Sequence, residues 1–133
     1  FATRCVERIY HALVEGVPNE SKGTDLAWIY EDKKLNVKRV RSNFKGAREA
    51  ITHWNVLDDK DSFSLVEIKI DTGRRHQIRL AMKYLNCPVV GDILHGSIFN
   101  PFKRICLHAT KIRFTHPTTN NSMEINSPVP FKI

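Results

Sequence analysis

The chain has 133 residues, 41% hydrophobic and 26% charged, which suits one globular domain and excludes a collagen, a coiled coil and a disordered tail. No apolar run reaches the ~18 residues of a membrane helix, Phe1-Ala2-Thr3-Arg4 does not open a signal peptide, and three cysteines suit a reducing cytoplasm. Twenty-one Lys and Arg against fourteen Asp and Glu leave a net charge of +7, which favours a polyanionic partner.

No repeat or linker interrupts the chain, so residues 1–133 read as a single domain. The opening, from Phe1 to Val6, lacks an initiator Met and reads as the interior of a longer pattern. Residues 6–16 look like a strand ending at Gly16, although the period alone does not exclude a helix. Val17 to Thr24, with Pro18, Asn19 and Gly23, reads as a loop. Leu26 to Tyr30 and Val37 to Val40 read as an edge hairpin. Ala47 to Leu57 and Ser62 to Ile70 form two β-rich runs either side of Asp58-Asp59-Lys60-Asp61, a hairpin signature.

After Thr72-Gly73 the period changes. Ile78, Ala81, Met82 and Leu85 fall at i, i+3, i+4 and i+7, an amphipathic helix of roughly three turns that stops at Asn86 and Pro88. Pro88 to Asp92 and the stretch to Lys103 read as loop. Residues 104–116 then form a strand, 116–121 a turn, and Ser122 to Asn126 a closing strand. The result is an α+β domain on a mixed, mostly antiparallel sheet with few helices.

The helix start carries the chemistry. Thr72 is a candidate N-cap and Gly73 permits a tight strand-to-helix turn. Arg74, Arg75 and His76 then place cations at the wrong end of the macrodipole, and Arg75 and Arg79 form an i,i+4 like-charge pair. Helix stability does not explain this arrangement. Convergent guanidinium and imidazole donors at a helix N-terminus make a phosphate or carboxylate site. The competing explanation is a solvated basic face, with Arg79 bridged to a structural acid. Cys5, Cys87 and Cys106 lack zinc-ligand spacing, and no phosphate-binding loop, dinucleotide fingerprint or nucleophile elbow occurs.

Several blocks, in order, resemble one family. Thr72 to Arg79 (TGRRHQIR), Pro88 to Asp92 (PVVGD), Leu107-His108-Ala109 and His116-Pro117 resemble the RluA-type RNA pseudouridine synthases. Val6 to Gly16 resembles that family's V-x-K-x-Y-x-A-L-V-x-G run, with Arg8 in place of Lys, and Ala47 to Leu57 resembles its A-x-T-x-(Y/W)-x-V-L strand. The resemblance implies the C-terminal part of a catalytic domain that isomerises uridine in ribosomal or transfer RNA. It implies a cytoplasmic, monomeric enzyme with no metal and no organic cofactor.

It also implies roles. Arg79 would aim the nucleophilic carboxylate, and Tyr10 would pack on the flipped uracil. Leu107 would line the base pocket, while Arg74 and His76 would hold backbone phosphate. Gln77 and His108 are further candidate substrate contacts. The family's nucleophilic Asp belongs to an H-R-L-D-x-x-T-S-G block, and no such block occurs in these 133 residues. These 133 residues alone are therefore expected to be inactive. A non-catalytic RNA-binding module on the same fold is the alternative.

Overall fold

The computed structural model describes residues 4–115 and 122–131, so the predicted turn at 116–121 and the His116-Pro117 pair lie outside the described residues. The strands are β1 (Arg4–Glu15), β2 (Lys22–Glu31), β3 (Val37–Val40), β4 (Arg48–Lys60), β5 (Phe63–Ile70), β6 (Leu107–Thr115) and β7 (Ser122–Asn126). They form one sheet in the order β3-β2-β4-β5-β1-β6-β7, with every pairing antiparallel. The one α-helix among the described residues, α1 (Gln77–Tyr84), packs on one face. No helix among the described residues is long and apolar enough to cross a membrane.

Side-chain parity decides what that face holds. Ala12 and Val14 of β1 and Val66 and Ile68 of β5 are buried, with Ala12 opposite Val66. Trp54 of β4 lies opposite Ile68 and extends the same surface. Ile78, Ala81 and Met82 of α1 cover it, the positions at which the helical period placed its apolar stripe. Past the helix, the chain returns as Val89-Val90 beside the end of β1. Val90 N–H donates to Leu13 O at 2.8 Å, and Cys106 N–H donates to Val90 O at 2.9 Å. This insertion carries Asp92 from a stretch read as loop into the interior.

Several sequence-based boundaries move, among them the start of β6, at Leu107 and not at residue 104. Lys22 to Thr24, read as loop, belong to β2 because they pair with Asn55 to His53 of β4. Asp58 to Lys60, read as a turn, continue β4 past a bulge between Val56 and Asp58. The chain reverses instead at Asp61 and Ser62, whose φ of 54° and 67° give the left-handed pair of a two-residue hairpin. The helix starts at Gln77, not after Thr72, and its eight residues make about two turns.

Candidate active site

The segment between β5 and α1 is built around Gln77. Its side chain is buried, with Nε2 donating to Ile51 O at 2.8 Å and Thr52 Oγ1 at 2.9 Å. Its Oε1 accepts from Thr72 Oγ1 at 2.8 Å and from the Arg74 N–H at 3.1 Å. Thr72 Oγ1 also accepts from the Ile51 N–H at 3.0 Å. The hydroxyl thus ties the turn to β4 and does not cap the helix. The capping position is His76, left-handed at φ 57° and without a side-chain cap bond. Gln77, a candidate substrate contact, is among the residues that line the cavity described next, with both ends of its amide engaged within the fold.

This turn presents its cations to a cavity of about 260 Å³ between α1, β1 and β6. Arg8 and Tyr10 of β1 line it from one side and Leu107 of β6 from another; Arg74, His76 and Arg79 line it from the helix side. Ile70 and Ile78 add apolar surface, and no acidic side chain lines the cavity. Gly73 lets the Arg8 guanidinium approach the turn closely: a Cβ on it would lie 2.8 Å from Arg8 Nη1, so the arginine tip would have to move aside. Arg8 was not among the predicted site residues. Its i,i+2 spacing from Tyr10 on a strand is the sequence signal that could have found it.

Arg79 is anchored from behind. Its Nε and Nη2 donate to Asp92 Oδ2 and Oδ1 at 2.9 and 2.7 Å, a two-pronged bond to a fully buried carboxylate. The structural acid weighed for Arg79 therefore exists, and it is Asp92. Asp92 is fixed in turn by its backbone, whose carbonyl accepts from the His95 and Ser97 N–H groups at 3.0 and 3.1 Å. Gly91, at φ +86°, makes the turn possible, since a Cβ there would meet Arg104 O at 2.0 Å. The fork leaves Arg79 Nη1 without a partner among the described residues, on a side chain that lines the cavity. Arg74 is held by one bond, from Nε to Glu49 O at 2.9 Å, and both of its Nη groups are without a partner among the described residues.

His76 stacks edge-on against His95, with ring centroids 5.6 Å apart. Burial pushes the His76 imidazole below the usual histidine range; Arg79, His95 and Arg75 push the same way, and Asp92 opposes them. At neutral pH His76 is thus a hydrogen-bonding group more than a charge.

His108 is not brought to the cavity. It pairs with His11 across β1 and β6, and its Nε2 lies 2.9 Å from Ser127 Oγ. Leu107 lines the cavity, so its strand neighbour points through the opposite face of the sheet.

The comparisons with known proteins agree with this architecture. The RNA pseudouridylate synthase family pattern matches residues 1–84. An uncharacterized RNA pseudouridine synthase of Chlorobaculum parvum is 35% identical over 98% of this chain and 46% of its own length. The uncharacterized RNA pseudouridine synthase YlyB of Bacillus subtilis is 37% identical over 96% of this chain and 42% of its own. Human RNA pseudouridylate synthase domain containing 1 superposes with a TM-score of 0.76 at 30% identity, over 95% of this chain and 56% of that one. The chain spans less than half the length of these two curated relatives. With the family pattern across most of its length and the fold of a solved relative, the chain belongs to the RNA pseudouridylate synthase family.

Proposed function

We propose that this chain forms the uridine-holding part of an RluA-like RNA pseudouridine synthase acting on ribosomal or transfer RNA, as a monomer in the cytoplasm. The observation that carries the reading is the cavity itself. Three arginines line it with no acid among them, and one is braced from behind by a buried carboxylate. Such a lining suits an anion.

In this reading the anion at Arg79 is the nucleophilic Asp, supplied by a segment of the gene product outside these 133 residues. The Asp92 fork fixes the guanidinium plane, and the free Nη1 orients the incoming carboxylate at the ribose. Tyr10 packs on the extruded uracil, and Leu107 closes the apolar side. Arg74 holds an adjacent phosphate, and neutral His76 donates a hydrogen bond beside it. Gln77 serves by positioning the Arg74 backbone. The N1–C1′ bond breaks, the base rotates, and C5 bonds to C1′ while C5 gives up its proton and N1 gains one. The rearrangement is redox-neutral and calls for no organic cofactor or metal.

The test is release of tritium to water from [5-³H]uridine in ribosomal and transfer RNA transcripts, using the complete gene product that carries this chain. Release in stoichiometric yield at one uridine is the expected result. Tight RNA binding with no release would favour the non-catalytic module.

A further inference from the structure

A second cavity of about 450 Å³ adjoins the first and shares two of its residues, Gly73 and Arg74. It lies around the start of β4, between Arg48, the end of β2 at Tyr30 and Glu31, and Arg75. Three arginines line it against one carboxylate, Glu31, and that carboxylate is already paired with Arg75.

Arg48 is the informative residue. It is exposed and has no acidic partner among the described residues. Parity places it in the β4 row that continues Ala50, Thr52 and Trp54 on the helix-covered face, directly opposite Ile29. That is a position where an apolar residue would extend the core. An arginine there has no ion pair to make, and it lines the same cavity as Arg74, whose Nη groups have no partner among the described residues. In the wall beside it, Tyr30 packs against Phe44 with ring centroids 4.9 Å apart.

We infer that this second cavity is a phosphodiester-binding groove that continues the RNA strand away from the target nucleotide. Arg74 is the shared post between base pocket and groove, and Arg48 is the principal contact beyond it. The inference rests on the RNA reading above. A groove with two available guanidinium groups, opening from a nucleotide pocket, fits a flanking backbone better than a second small molecule. A phosphate needs charge but not a fork, so lysine would serve at position 48.

The experiment uses the complete gene product and measures Kd and its salt dependence for two uridine-containing RNAs. One is a trinucleotide centred on the target; the other is a long transcript. Arg48→Gln should weaken binding of the transcript by about three- to tenfold and reduce its log K against log salt slope by about 0.7–0.9. The trinucleotide should bind as before, and Arg48→Lys should restore most of the transcript affinity. Lys33→Gln removes the same charge from the β2–β3 connection, outside both cavities, and should change neither affinity nor turnover. Wild-type affinity and slope for Arg48→Gln would overturn the inference, and so would equal losses on both RNAs, which would place Arg48 in the base pocket. Failure of the functional reading is separate: the wild-type protein would then release no tritium.

Discussion

Two arginines four residues apart in one block meet opposite fates. Arg79 forks onto Asp92, with side-chain exposures of 16% and 0%. Arg75 pairs with Glu31 in a contact whose partners are 49% and 40% exposed. In sequence both are cations near the start of the same helix. Water makes the difference: it screens the Arg75 pair to little consequence, whereas neither Arg79 nor Asp92 can lose its partner without stranding a charge in the interior. A buried pair of this kind is weak evidence for stability and strong evidence for a fixed orientation. Here the oriented group lines the cavity.

The sharpest way to break the comparison is Asp92→Ala. It should cost about 3–5 kcal/mol in urea unfolding, because Arg79 keeps its charge with no partner. A cost near that of a surface pair would mean that Arg79 relaxes into solvent. A smaller effect concerns three imidazoles shielded from water. Burial holds His11, His76 and His95 below the usual histidine value of about 6.5. The unfolded chain therefore takes up protons first as pH falls through about 6.5, so the native state loses stability below that value and is indifferent above it. The urea midpoint should be lower at pH 5.5 than at pH 7.5, and a midpoint that rises on acidification would contradict the assignment. The smallest effect belongs to the exposed pair. Glu31→Gln should change stability by less than about 1 kcal/mol, and any such change should fade at high salt.

The sheet was legible where hydrophobic alternation and turn chemistry agreed. β3 and β7 fall on the residues expected of them. The helix onset was not legible, because Thr72-Gly73 carries the local signature of a cap. Its hydroxyl is claimed instead by Gln77 and by the Ile51 N–H of a distant strand. The left-handed His76 has no local signal either, since that conformation ordinarily favours Gly or Asn. That Arg79 would meet a structural acid was one of the two explanations the sequence offered. Which acid was not legible, because Asp92 reaches it only through the Val89-Val90 insertion beside β1. His108 is a miss the sequence could have prevented: on a strand, Leu107 and His108 cannot both face one cavity.

The central claim is that Arg79, braced by Asp92, aims a carboxylate at the target ribose. Arg79→Lys tests it most directly in the complete gene product, read as single-turnover tritium release alongside RNA Kd. Lysine keeps the charge but loses the planar fork that grips Asp92 while leaving Nη1 free. Turnover should fall by about two orders of magnitude or more, a loss of ~2.7 kcal/mol in transition-state stabilisation, with RNA affinity changed less than about threefold. Near-wild-type release by the lysine variant would contradict the claim and move the orienting role to Arg74 or Arg8.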